Sequence, residues 1–153
     1  MTQLQALNLI AGEWCPAQSN DWAPSFDPSN GQVLGRLAAS ARADGVAAIA
    51  AARAAFERNQ WSQSPRVRQM VMLRWADRME ERSEALARLL TQENGKVLAQ
   101  SRGEIAGAIS EIRYYAGLTR YMPGHVFEVE PGTFSTLLKE PAGVVGIIVP
   151  WNA

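Results

Sequence analysis

Histidine and cysteine are almost missing from this chain of 153 residues, each occurring once, as His125 and Cys15. A lone cysteine excludes an intrachain disulfide and suits a reducing cytoplasm. Cys15 has no histidine or basic cluster beside it to activate a thiolate, so it reads as a small apolar side chain. His125 heads no metal-ligand pattern, and no metal site is expected. Net charge is missing too: Lys plus Arg is 15 and Asp plus Glu is 15. There is then no field to attract nucleic acid or an anionic membrane. The strongly apolar run Val144 to Val149 is far shorter than the roughly 20 residues of a membrane span. The first residues lack a basic region followed by an apolar core, so no secretory signal is read there. Repeats, low-complexity tracts and Gly/Ser linkers are absent as well.

What is present alternates between two periods. Leu4 to Trp14 reads as a short strand region, Asp27-Pro28-Ser29-Asn30-Gly31 as a turn, and Val33 to Leu37 as a returning strand. Together they predict a small hairpin. Ala43 to Arg58 has helical spacing, with Val46, Ile49, Ala52 and Phe56 along one face. Ser64 as N-cap and Pro65 as first residue open a second helix with the stripe Val67, Val71, Met72, Trp75 and Met79. Ser83 is read as a further cap, before a helix that turns Leu86, Leu89 and Leu90 inward and ends at Asn94-Gly95. The fourth helix is the longest, from about Leu98 to Tyr121, with Ile105, Ile109, Ile112 and Ala116 on its apolar face. Gly103, Ala106, Gly107 and Ser110 leave part of its surface thin, and Pro123-Gly124 ends it. The period then changes to two: His125 to Glu130 and Thr133 to Glu140 form a hairpin about Pro131-Gly132.

The last stretch, Glu140-Pro141-Ala142-Gly143 through Val149-Pro150-Trp151-Asn152-Ala153, is the most informative. An apolar, β-branched run bounded by Gly and Pro reads as a strand buried on both faces. Pro150 cannot donate to a ladder, so pairing should stop there and hand over to a loop bearing Trp151 and Asn152. Ligands of open α/β sheets bind just past such strand ends. A strand of this kind needs neighbours on both edges, and little sequence remains to supply them. The expectation is an incomplete α/β fold, the front of an enzyme. Gly143 and Gly146 do not form a G-x-G-x-x-G loop and lie within the strand region.

Lys139-Glu140-Pro141-Ala142-Gly143-Val144-Val145-Gly146-Ile147-Ile148-Val149-Pro150-Trp151-Asn152 resembles the Pro-x-Gly-Val-Val-x-x-Ile-x-Pro-Trp-Asn segment of NAD(P)-dependent aldehyde dehydrogenases. The resemblance extends upstream in family order. It includes Ala11-Gly12-Glu13-Trp14, Asp27-Pro28-Ser29-Asn30-Gly31, Ala51-Ala52-Arg53-Ala54-Ala55-Phe56, Trp61-Ser62, Glu93-Asn94-Gly95-Lys96 and Tyr114-Tyr115-Ala116-Gly117. It implies the amino-terminal part of that family's fold: a small β-hairpin, four helices, an oligomerisation β-ribbon and the first buried strand of the cofactor-binding sheet. The implied divisions are residues 1–122 for the start of the NAD(P)-binding domain, 123–141 for the ribbon, and 142–153 for the first strand and Pro-Trp-Asn loop. The catalytic domain would lie outside the chain.

The resemblance also implies roles. The Asn152 amide would stabilise the oxyanion of a thiohemiacetal formed when a cysteine thiolate attacks an aldehyde, a service typically worth about 2.7–4 kcal/mol per donor. By residue type alone, the favoured reading of Asn152 is that it closes a turn after the strand. Ile148, Val149, Pro150 and Trp151 would line the NAD or NADP site, with Trp151 also free to act as a packing residue. The family's nucleophile and general base lie well downstream of Pro-Trp-Asn, and Cys15 matches neither. Lys96 reads as a solvated helix-end charge and Glu80-Glu81-Arg82 as a solvated helix face. The implied full protein is a cytoplasmic dimer or tetramer that oxidises a small aldehyde to its carboxylate. The alternative is a non-catalytic binding or assembly module derived from the same front end.

Overall fold

A computed structural model describes residues 4–58 and 60–149. Turn chemistry organises its amino-terminal third. Strands β1 (Leu4–Ala6), β2 (Asn8–Ile10), β3 (Glu13–Cys15), β4 (Trp22–Phe26) and β5 (Val33–Ala38) come first. Between β2 and β3 only Ala11 and Gly12 intervene, at φ 55 and 87°. Two positive φ values in a two-residue loop match the twist of a tight hairpin. The Asp27–Gly31 turn joins β4 to β5, an antiparallel pair. Asp27 organises it: its carboxylate accepts the Ser29 N–H at 2.8 Å and the Ser29 hydroxyl at 2.6 Å, while Gly31 donates to the Asp27 carbonyl at 2.7 Å.

The expected hairpin is therefore real in its turn and different in its partner. Strand β4, not the Leu4–Trp14 region, returns against β5, and β1 runs parallel to β5 with Leu4 opposite Gly35. Parallel pairing needs a long connection, which β2, β3 and β4 together provide. Gly35 is what lets β1 approach: a Cβ there would lie 2.5 Å from the Leu4 carbonyl oxygen.

Five helices follow among the described residues: α1 (Arg42–Arg58), α2 (Gln60–Gln63), α3 (Pro65–Glu81), α4 (Ser83–Asn94) and α5 (Leu98–Leu118). Asp44 closes the start of α1, accepting the Ala41 N–H at 2.8 Å in half of a capping box. Its other oxygen accepts the Gln18 N–H at 2.8 Å, tying the loop after β3 to the helix. These bonds hold the Asp44 carboxyl below its ordinary range. Ser64 caps α3 as expected, its hydroxyl accepting the Val67 N–H, with Pro65 next. Ser83 is not a cap: it is already helical, Arg82 holds the cap position, and no side chain caps α4. Gly95 ends α4 in the left-handed region, as Asn94-Gly95 predicts.

Helix α5 packs on both α3 and α4. The contact line is built from thin residues: Ala76, Ala87, Ala116 and Ser101 are fully buried and Ile109 nearly so. Small side chains let the helix axes approach closely. This shifts the inward face of α3 towards Met72, Ala76 and Met79, and leaves Val71 and Trp75 exposed. On α1, Val46 and Ile49 are exposed too, because chiefly α2 and β2 lie against it among the described residues.

Strands β6 (His125–Glu130) and β7 (Thr133–Leu137) form the expected two-stranded ribbon, every residue of it exposed. Gly132 at φ 78° makes its turn, donating to the Glu128 carboxylate at 2.9 Å. The expected buried strand does not appear: Val144 to Val149 joins no ladder, and Val145, Ile147, Ile148 and Val149 are exposed. No described strand pairs with it, so most of its side chains stay uncovered. No described helix is long and apolar enough to cross a membrane.

Candidate functional site

The segment leading to Pro150-Trp151-Asn152 lines a cleft at its beginning. Residues 139–143 and Val145 form one wall of a cleft of 430 Å³, and Phe56 of α1, Trp61 of α2 and Pro65 of α3 stand opposite. Hydrogen bonds set the bend that presents Trp61. The Ser62 hydroxyl donates to the Phe56 carbonyl at 2.6 Å, and Arg68 reaches back to the Trp61 carbonyl at 2.7 Å and the Ser62 carbonyl at 3.2 Å. Trp61-Ser62 thus occupies a short helix that lines the cleft opposite residues 139–143.

Past the cleft, the Ile148 side chain is fully exposed and Val149 largely so. Pro150, Trp151 and Asn152, the other expected cofactor-side residues and the expected amide donor, lie outside the described residues. Ile148 and Val149 offer uncharged, apolar surface with backbone engaged in no ladder.

Two other motifs from the sequence meet in space. Glu93 of the Glu93-Asn94-Gly95-Lys96 element accepts the Ser25 hydroxyl at 3.4 Å, and Gly95 backs onto Pro28 of the Asp27–Gly31 turn. Lys96 is not a solvated charge. It is largely buried and paired with Glu104 of α5, because the chain reverses direction after Gly95 and carries the ammonium onto the next helix. This knot joins the amino-terminal sheet to the helical layer.

The groove between α3, α4 and α5, of 470 Å³, is floored by Ala106 and Ile109 and walled by ion pairs. Arg113 holds Glu80 at 2.6 Å and Asp77 at 3.0 Å, so Glu80 belongs to an interhelical bridge and not to a merely solvated face. Arg102 grips both oxygens of Glu84 at 2.8 Å. That hydrogen bonding, reinforced by Arg88, holds the Glu84 carboxyl at about 2, down from its ordinary 4.5. These charges satisfy one another and carry no visible chemistry. Cys15 lies in β3, and the His125 ring stacks on Phe127 at 5.9 Å. No group of three His, Cys, Asp or Glu among the described residues is placed to hold a metal ion.

The framework is mixed α/β with small sheets, an exposed ribbon and an unpaired apolar segment. Residues 14–153 match the sequence pattern of the Aldehyde dehydrogenase family. The chain belongs to that family. It is 37% identical over 145 residues to the NADP/NAD-dependent aldehyde dehydrogenase PuuC of Escherichia coli, covering 94% of this chain and 29% of that protein. An aldehyde dehydrogenase of Paracoccus denitrificans is 37% identical over 147 residues, covering 95% of this chain and 28% of its own. Among solved structures, a betaine aldehyde dehydrogenase double mutant from Staphylococcus aureus in complex with NAD+ superimposes with TM-score 0.93 at 34% identity, over 99% of this chain and 31% of that one. The NAD-dependent aldehyde dehydrogenase of Sinorhizobium meliloti gives TM-score 0.89 at 33% identity, over 98% and 30%. The chain therefore spans about 30% of the length of the solved relatives it matches.

Proposed function

We propose that these residues form the front of a cytoplasmic oxidoreductase that converts an aldehyde to its carboxylate with NAD or NADP. The carrying observation is the family match, which spans residues 14–153 and so includes the Pro-Trp-Asn segment. The names of the relatives support the cofactor class: one is NADP/NAD-dependent and another is a complex with NAD+. The cofactor would accept hydride from the substrate carbon. The chain's own contribution is positional. Ile148, Val149, Pro150 and Trp151 would lie along the dinucleotide, and the Asn152 amide would donate to the oxygen that becomes negative as a thiolate adds to the carbonyl. The ribbon β6–β7, with two open edges, would pair with a second subunit of a dimer or tetramer.

The test is NADH or NADPH formation from a panel of aldehydes by the full-length protein carrying these residues, beside the isolated 153-residue chain. Turnover by the first and none by the second is expected, because Cys15 is the chain's only thiol and lies in β3, remote in sequence from Asn152. Turnover by the isolated chain that is lost in Cys15→Ala would overturn this reading.

A further inference from the structure

We propose that residues 144–149 of one copy of this chain add as a third strand to the open edge of β7 in a second copy. The contact stands apart from the reaction proposed above. Of these six residues five are β-branched valine or isoleucine, none is charged and none is proline. That is the composition of a segment that seeks strand pairing. Its backbone joins no ladder among the described residues, and Val145, Ile147, Ile148 and Val149 are exposed. The ribbon has the complementary lack. Strands β6 and β7 pair only with each other among the described residues, so each keeps an open edge. Natural sheets blunt such edges with charge. Strand β6 carries Glu128 and Glu130, whereas Thr133–Leu137 carries no charge and exposes Phe134 and Leu137. The lengths agree as well: β7 has five residues and the segment six. A two-stranded ribbon alone is marginal, and a third strand supplies main-chain hydrogen bonds and a wider apolar face.

The chain's own ribbon is not the partner. Six residues, 138–143, separate β7 from the segment, long enough for a connecting loop. Five of them, 139–143, instead line the cleft opposite Phe56, Trp61 and Pro65. On that route the segment makes no ladder with its own β7. A second copy brings an edge free of this connection. Each copy offers one segment and one edge, so the contact is heterologous: two copies can satisfy each other, or the array extends.

The experiment uses the 153-residue chain across concentration, with light scattering for association and hydrogen exchange for pairing. In dilute solution residues 144–149 should exchange at nearly the open-chain rate. As the chain associates, exchange at 144–149 and at Thr133–Leu137 should slow together, by about tenfold or more. Ile147→Pro removes a main-chain donor where the single copy has no ladder, and Phe134→Lys puts charge on the receiving edge. Position 134 stands opposite Glu128, so the lysine keeps a cross-strand partner and the ribbon persists. Each variant should weaken association about tenfold, and Ile49→Lys, at another exposed apolar side chain in α1, should leave it unchanged. A mixture of the Ile147→Pro and Phe134→Lys chains should associate better than either alone, because one supplies the edge and the other the segment. Association of the wild type without slowed exchange in both places, equal weakening by Ile49→Lys, or no gain in the mixture would overturn the proposal. Protection of 144–149 in a monomer would overturn it too, since the segment would then pair with its own ribbon, as would a chain that stays monomeric throughout.

Discussion

Replacing Gly95 by alanine should destabilise the chain by about 2 kcal/mol, and the reason can be divided into parts. Gly95 stands at φ 80° just after α4, where an L side chain costs about 1–2 kcal/mol. The new methyl would also lie 3.0 Å from Cγ of Pro28, a contact that must give way. Overpacking of this kind adds at least about 1 kcal/mol. Alanine returns about 0.4–1 kcal/mol by stiffening the unfolded chain. The balance is near 2 kcal/mol, about a thirtyfold loss in the folding equilibrium. Gly31 supplies the control: its φ is 71°, but a Cβ there meets nothing within 4 Å, so Gly31→Ala should cost only about 1 kcal/mol. Urea unfolding followed by the helical circular dichroism of the chain gives both values. Pro28→Ala in the Gly95→Ala background should restore about 1 kcal/mol as a coupling energy. Equal losses for the two glycine variants, with no coupling to Pro28, would refute the claim that the turn and the helix end are packed against each other.

In the full-length protein, Asn152→Ala should lower the NADH burst rate by about two to three orders of magnitude, the loss expected for one oxyanion donor; an unchanged burst would remove Asn152 from the chemistry. Acid should loosen the α4–α5 contact in a defined window. Arg102 holds Glu84 at about 2, so the stabilisation is complete above its ordinary 4.5 and disappears as pH falls from there through about 2. Arg102→Ala should shift the loss of helical signal to higher pH, and an acid titration by circular dichroism reads it. Finally, residues 144–149 of the isolated chain should exchange their amides at nearly the open-chain rate, and the chain should self-associate with concentration, because this β-branched run is exposed and unpaired. Strong protection in a monodisperse monomer would contradict that.

Local chemistry made much of the fold legible. Ser64-Pro65, Asn94-Gly95, Pro131-Gly132 and Asp27–Gly31 each act through their own backbone preferences, and each stands where the sequence suggests. Strand β4 escaped notice because Pro24 and Ser25 interrupt its apolar pattern, although proline is tolerated on an edge strand, which β4 is. The parallel pairing of β1 with β5 is a long-range choice that no local signal carries. Asp44 was missed as a tether, yet its place at the third residue of α1, ahead of an apolar run, is the spacing of a capping box. Around the candidate site, the residue types at 148–152 pointed to a loop at a strand end. The cleft lined by residues 139–143 is completed by α1, α2 and α3, far away in sequence. Only the fold brings those parts together.

The alanine seam between the helices limits how this chain can change. Ala76, Ala87 and Ala116 have no solvent-accessible surface, and each is already the smallest side chain that still favours a helix. Substitution there is costly in either direction. Glycine removes a single methyl and weakens the helix, while anything larger must force two helices apart. The seam should therefore tolerate almost no drift in size, whereas the exposed faces of the same helices accept wide variation. A saturation library scored for soluble folded protein should show three narrow columns at positions 76, 87 and 116 beside permissive neighbours. The part of the molecule with the fewest atoms to lose would then be its least negotiable.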